Sequence, residues 1–399
     1  MEYNEFCVTY SKIWSRYLQK VNDDIERNYI SFGQGKLLFP NIVLYIETPE
    51  HYIAELFGAT SGFQGLEERR GKATSTNKYL YQFNEDSNNP GMKIETQNSG
   101  FYGMLLSRKV DLEKVKSRFG FDSPIGDYAH LEFIGGSGSL FSFYKEFETC
   151  YLDTCLIINN LGDIYHAKEI LHLTIVSKNI SLEKCIQMES NCFKWPVAYS
   201  SQLRGIHFVA DGKTDRNRLS GQFTNLYLTP ELRETTIGKF LHYNQNILKH
   251  ALKCSEILYE KPFVWVAGNL PSSSDFIKPD FMLKSGVTHY WDICDLKLPL
   301  FDKSKVTKGG FERRRFIDAV YEGIAQLSTY ETYFSIEQNA QYAREKYGIE
   351  VNNPRLILIV GNYENAVPEE IEQAASALKP NYMIIDYDSL NLAYLKNSK

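Results

Sequence analysis

Along the first half of this chain the apolar residues fall into short strand-like runs, and along the last part strand-like and helix-like runs alternate. Lys36–Glu47 reads KLLFPNIVLYIE, apolar and β-branched but interrupted at Pro40. Leu131–Tyr144 (LEFIGGSGSLFSFY) predicts two strands about a Gly-Ser turn, Cys155–Val176 holds two more apolar runs, and Leu203–Ala210 another. Glu85–Gly91 (EDSNNPG) and Thr96–Gly100 (TQNSG) are turn clusters. An opening helix over Tyr10–Ile25 follows from Trp14, Tyr17, Leu18 and Val21, which recur at helical spacing. Residues 1–225 are therefore expected to form a β-rich (α+β) region, with room for two subdomains.

The pattern changes after Leu228-Thr229-Pro230. A helix started by Thr229 or Pro230 is expected to continue through Ile237, Leu241, Ile247, Leu248, Leu252 and Ile257. Strand-like Phe263–Val266 follows, then two further strand segments, Lys278–Leu283 and Tyr290–Pro299, and a helix from Phe311 to Tyr347. Pro354–Gly361 is a buried-type strand, Pro368-Glu369-Glu370 opens another helix, and Tyr382–Asp386 closes the sheet. Helix, three strands, helix, strand, helix, strand describes an α/β layered domain over residues 226–399.

Length supports this division, because 399 residues exceed one ordinary core. A formal net charge of −5 excludes a globally basic nucleic-acid coat, so any DNA contact must come from a local patch. No apolar run is long enough for a membrane span. Met1-Glu2-Tyr3-Asn4-Glu5 lacks the charged-then-apolar order of a signal peptide, which favours a cytoplasmic location. The 7 Cys are scattered without a CxxC pair and read as reduced thiols.

The chemistry-bearing stretch is Lys278-Pro279-Asp280-Phe281 followed by Asp292-Ile293-Cys294-Asp295-Leu296-Lys297. In a strand, Asp295 and Lys297 share one face while Asp292, Cys294 and Leu296 share the other. Two carboxylates and an ammonium converging at one place are costly unless a divalent cation joins them. An acid with Asp-x-Lys is common by chance, and a surface ion pair is its plain alternative. Gln326 and Tyr330, four apart on the following helix, share a face that could reach this edge; a solvated glutamine and an ordinary buried tyrosine are their plain alternatives. From Lys297 to Arg315 the chain also carries Lys303, Lys305, Lys308, Arg313, Arg314 and Arg315 against Asp302 and Glu312, a local excess suited to phosphates. Asp292 is expected to be a surface acid. Gly135-Gly136-Ser137-Gly138 and Phe32-Gly33-Gln34-Gly35-Lys36 fail as phosphate loops, since no Gly-Lys-Ser/Thr follows.

The series Pro279-Asp280, Asp295-x-Lys297 and Gln326-xxx-Tyr330 resembles the PD-(D/E)xK nuclease superfamily. More narrowly, residues 226–390 resemble the nuclease domain of the Shedu anti-phage defence proteins. That match is carried by Glu234-xx-Ile237-xx-Phe240-Leu241-xx-Asn244, Pro279-Asp280-Phe281, Asp295-Leu296-Lys297-x-Pro299, Ala325-Gln326-Leu327-xx-Tyr330 and the Pro354–Gly361 strand. The chain departs from the family where Asp295 replaces a more usual Glu and where Asn244-Gln245 replaces Asn-Pro. The first departure shifts a carboxylate by one methylene. The resemblance implies a restriction-endonuclease-like mixed sheet flanked by helices. It implies a site in which Asp280, Asp295 and Glu234 hold Mg²⁺, or Mn²⁺ in its stead, while Lys297, Gln326 and Tyr330 assist. Glu231, Glu256 and Glu260 compete with Glu234 as acids of the same expected helix. Lys308 and Arg313, Arg314 and Arg315 would form the DNA rim.

A metal-dependent deoxyribonuclease of antiviral defence is therefore the expected function, with DNA as substrate and residues 1–225 sensing a phage or host trigger or restraining activity. The resemblance also implies a homo-oligomer. A housekeeping repair or restriction nuclease with the same chemistry, and a non-catalytic DNA-end-binding module, remain the alternatives.

Overall fold

The computed structural model describes residues 1–30, 32, 35–80, 92–95, 104–108, 130–134, 148–161, 164–191, 193, 203–209, 212–266 and 275–397. The expected turns at 85–91 and 96–100 and the Gly-Ser turn at 135–138 lie outside the described residues. Chain contacts divide the molecule into two units, Met1–Glu231 and Leu232–Lys399.

The first unit opens with α1 (Tyr3–Glu26), which begins well before the expected Tyr10. Phe6 and Cys7 extend the buried stripe of Tyr10, Trp14, Tyr17, Leu18 and Val21, and the Glu5 carboxylate accepts the Glu2 N–H at 2.9 Å. Strands β1 (Lys36–Leu38), β2 (Ile42–Glu47), β3 (His51–Phe57) and β4 (Glu67–Lys72) precede a short helix, α2 (Thr76–Leu80). Then come β5 (Met92–Glu95), β6 (Met104–Arg108), β7 (His130–Ile134) and the two long strands β8 (Thr149–Leu161) and β9 (Ile164–Ser177). They build one sheet in the order β4-β2-β3-β9-β8-β6-β5, with β7 also paired to β8. Helix α3 (Leu182–Asn191), β10 (His207–Val209), which pairs with β1, and α4 (Gly212–Tyr227) complete the unit.

Helix α4 stands where only strands were expected. It is buried on a mixed surface: Arg218, Gln222 and Asn225 recur at helical spacing beside the apolar Leu219, Phe223 and Leu226, and all six are buried. Arg218 donates to the buried Glu169 carboxylate and stands 2.6 Å from His207 Nδ1, and Asn225 donates to Glu55 at 2.7 Å.

The second unit begins with α5 (Glu234–Tyr243) and α6 (Asn246–Leu252), followed by β11 (Cys254–Tyr259). The single helix expected through Ile257 is thus two helices and a strand. Asn244 closes the first, and Lys253, at φ +56°, ends the second in the left-handed region. A small hairpin, β12 (Phe263–Val264) and β13 (Phe276–Ile277), leads to β14 (Phe281–Ser285) and β15 (Trp291–Leu296). A second hairpin, β16 (Thr307–Lys308) and β17 (Arg315–Phe316), precedes α7 (Asp318–Ser335) and α8 (Glu337–Tyr347). The expected helix from Phe311 to Tyr347 therefore starts later and is broken at Ile336, which caps both α7 and α8 in an extended conformation. Then β18 (Leu356–Ile359), α9 (Pro368–Ala375), with Pro368 at its first turn, β19 (Tyr382–Ile385) and α10 (Tyr387–Asn397) close the unit.

The central sheet runs β11-β14-β15-β18-β19. Its first three strands are antiparallel neighbours, while β15, β18 and β19 run parallel. Such a mixed sheet with helices on its faces is the α/β class expected. Every residue of β18 is buried, which accounts for its continuous apolar character, whereas the equally buried β15 carries Asp292 and Asp295.

Candidate active site

The pairing of Phe281 with Cys294 fixes the geometry of the acids. Continued by one residue, that antiparallel ladder brings Asp280 alongside Asp295. The backbone of Asp280 is held by Glu260 N–H, at 2.9 Å from its carbonyl, and its side-chain Oδ2 accepts the Leu296 N–H at 2.7 Å. Asp295 is 1% exposed. Its Oδ2 lies 2.6 Å from Lys297 Nζ, which also donates to Gln326 Oε1 at 2.9 Å and to the Leu296 carbonyl at 3.1 Å.

Helix α7 can approach this edge because Gly323 faces it. A Cβ at that position would lie 2.6 Å from Leu358 Cδ1 and 3.3 Å from Lys297 Cγ. One turn on, the Gln326 amide meets the Tyr330 hydroxyl, which in turn donates to the Lys278 carbonyl at 3.3 Å. Glu234, in the first turn of α5, accepts the Leu298 N–H at 3.0 Å. The structure thus gathers four of the expected residues, Asp280, Asp295, Glu234 and Gln326, around Lys297, with Tyr330 behind Gln326.

The electrostatics follow from three carboxylates facing one ammonium. Burial and then the charge of Asp295 push the Asp280 carboxyl up to about 7, against the opposing pull of the Leu296 N–H and Lys297. Burial also raises Asp295, and the Lys297 ammonium opposes it. Burial works to lower Lys297, but Asp295, Glu234 and Asp280 outweigh it and hold the ammonium more firmly charged. The ordinary state of the site is therefore short of positive charge.

Two of the three competing acids are occupied elsewhere. Glu256 lies on β11 and pairs with Lys284 at 2.6 Å, while Glu260 follows that strand and pairs with Lys278 at 3.0 Å. Neither shares a helix with Glu234, whose own helix ends at Tyr243. Asp292 does point away from Asp295, but it is not a surface acid. It is 7% exposed and takes the Arg355 backbone N–H and guanidinium, each at 2.8 Å. Cys294 is fully buried, and burial pushes its thiol well above the ordinary range, so it offers no nucleophile.

The basic stretch after Lys297 is largely paired. Lys303 meets Asp302 at 2.6 Å, Lys305 meets Glu370 at 2.7 Å, Lys308 meets Asp318 at 2.6 Å and Arg314 meets Glu370 at 2.9 Å. Arg313 and Arg315 make no ion pair within 4 Å among the described residues. None of the three arginines starts a helix, since a short 3₁₀ turn (Phe311–Arg313) and β17 hold them.

One residue of the site had no sequence signal. Tyr387, at the start of α10, is fully buried and its hydroxyl donates to the Lys297 carbonyl at 2.8 Å. Its position 90 residues from Lys297 could be found only through the fold.

Among the described residues, no group of three or more His, Cys, Asp or Glu side chains forms a ready-made metal cage. The donor chemistry of the acids nevertheless suits a hard divalent cation. Asp280 and Asp295 are neighbouring oxygen donors whose mutual repulsion a cation would relieve, and Glu234 lies within electrostatic reach of both.

Also among the described residues, no helix is long and apolar enough to cross a membrane. No curated protein matches the chain. Residues 231–390 match the family model described as Shedu protein SduA, C-terminal, a span that contains every residue of the site. The C-terminal unit is thus similar to the C-terminal part of the Shedu protein SduA.

Proposed function

We propose that the C-terminal unit is a Mg²⁺-dependent deoxyribonuclease serving defence against phage. The observation that carries this reading is the single ammonium, Lys297, held at once by Asp295 and Gln326 beside the buried carboxyl of Asp280. A structural ion pair needs one acid and one base. This cluster holds more acids than bases at an edge that Gln326, an exposed residue, leaves open to solvent.

In phosphodiester hydrolysis a water oxygen bonds to phosphorus, the bond from phosphorus to the leaving deoxyribose oxygen breaks, and that oxygen takes a proton. A divalent cation held by Asp280 and Asp295, with Glu234 at its margin, would supply charge neutralisation and polarisation of the phosphoryl oxygens. Lys297 supplies a fixed positive charge where negative charge builds in the transition state. Gln326 orients that ammonium, and Tyr330 fixes Gln326 through its own bond to the Lys278 carbonyl. Tyr387 fixes the lysine backbone.

A freely active DNase would endanger its own cell, so the first unit is read as the gate or sensor, in a cytoplasmic homo-oligomer. Cleavage of linear and circular duplex DNA by the full chain, with Mg²⁺ and with EDTA, tests the activity. Cutting that requires the cation supports a nuclease. DNA binding indifferent to Mg²⁺, with no cutting of any DNA form, would favour a non-catalytic binding module instead.

A further inference from the structure

The hairpin between the site's lysine and its glutamine helix holds a large apolar side chain out in solvent. Phe311 is 77% exposed at the tip between β16 and β17. It does not belong to a loose segment. Val306 and Phe316 at the hairpin root are fully buried, and Thr307 pairs with Phe316 and Lys308 with Arg315. One carboxylate, Glu370 on α9, ties the root down by accepting Thr307 Oγ1 at 2.6 Å, Lys305 at 2.7 Å and Arg314 at 2.9 Å.

The tip is shaped by glycine. Gly309 has φ +91°, and a Cβ there would fall 2.4 Å from the Arg313 carbonyl oxygen, so the turn closes only without a side chain. Gly310 has nothing within 4 Å of its own Cβ position, so the approach to Phe311 is open. Of three consecutive arginines, Arg314 is turned inward to Glu370, and Arg313 and Arg315 on either side of it are exposed. An exposed ring followed by two exposed arginines is poorly suited to a protein partner, whose contact would need a wider apolar surround. It suits a nucleobase, which offers a π-face for the ring and phosphates for the arginines.

We propose that this hairpin tip is a base-stacking contact, in which Phe311 stacks on a base free of the duplex and Arg313 and Arg315 bind the flanking phosphates. The proposal rests on the DNA reading of the site and deepens it, since it assigns a preference for DNA with unpaired bases. Position favours it. The hairpin runs through Ile317 directly into α7, and Gln326 lies eight residues beyond Asp318, about 12 Å along the helix axis, on the order of four base-pair rises. A base inside an intact duplex already has both faces covered, so the ring gains a partner only where the stack is open.

The test is binding by full-length protein carrying Lys297→Ala, so that DNA is not cut, to labelled single strands, gapped duplex and fully paired duplex. Adding Phe311→Ala should weaken binding to the single strand and the gapped duplex about tenfold, the scale of one lost stacked base, and leave the paired duplex within about twofold. Phe311→Trp should retain the preference, and 2-aminopurine in the gap should lose fluorescence quenching only with alanine. Arg313→Ala should instead lower the salt dependence of binding to every form. Equal affinities with and without the Phe311 ring, or equal weakening on all three DNAs, would overturn the stacking proposal while leaving the nuclease reading intact. No binding of any DNA by the parent protein would overturn both.

Discussion

The two units bury charge in opposite ways. In the first, the buried acids among the described residues each have a matching base or donor within the fold. Glu169 has Arg218, Glu55 faces Lys168 and takes bonds from Tyr79 and Asn225, and Asp153 has His172 and Arg204. In the second, Asp280 and Asp295 share one lysine, with a third acid, Glu234, in reach of the same group. Paired and sealed charge holds an architecture together, whereas unbalanced charge at an open edge is a liability that persists where chemistry requires it.

Removing one member of each cluster should therefore act with opposite sign. Arg218→Ala leaves Glu169 buried and unpaired, and should destabilise the first unit by about 3–5 kcal/mol in chemical denaturation. Asp280→Asn relieves repulsion in the second, and should stabilise it by about 1 kcal/mol while abolishing cleavage. Equal destabilisation by both substitutions would erase the contrast.

A smaller effect follows from pH. The Asp280 carboxyl titrates near about 7 in the folded protein, above its ordinary 3.8, so the folded state holds the extra proton. Its stabilising contribution is complete below about 3.8 and is lost as pH rises through about 7. Without divalent cation the second unit should thus melt at lower temperature as pH rises over this window. Added Mg²⁺ should restore most at the alkaline end, as differential scanning fluorimetry can read.

Smaller again, Tyr387→Phe removes only the hydroxyl that holds the Lys297 carbonyl. Cleavage should slow severalfold, up to about tenfold, with DNA affinity unchanged. An unaltered single-turnover rate would mean that Lys297 is positioned adequately by Asp295 and Gln326 alone.

What could be read in advance follows from which interactions are local. Asp295-x-Lys297 is a strand spacing, and Gln326 with Tyr330 is a helix spacing, so both survive in the sequence as periodicity. Their convergence depends on the parallel neighbour β18 and on Gly323, whose missing side chain becomes meaningful only against Leu358. The boundary at Lys253 was hidden because Leu252, Ile257 and Leu258 fit a helix and a strand almost equally well. Helix α4 was hidden for a different reason: its short apolar stripe, Leu219, Phe223 and Leu226, is interleaved with buried Arg218, Gln222 and Asn225, which pattern reading assigns to solvent. The arginine cluster looked like a uniform rim, yet the distant Glu370 and Asp318 pair Arg314 and Lys308. Tyr387 and Arg355 likewise act across separations of 90 and 63 residues.

The most direct test of the account is the single-turnover cleavage rate of DNA by full-length protein and its Lys297→Ala variant, with thermal melts alongside. Loss of the Lys297 ammonium should lower the rate about a hundredfold or more, with the fold intact. A folded Lys297→Ala protein that cuts at the wild-type rate would contradict it.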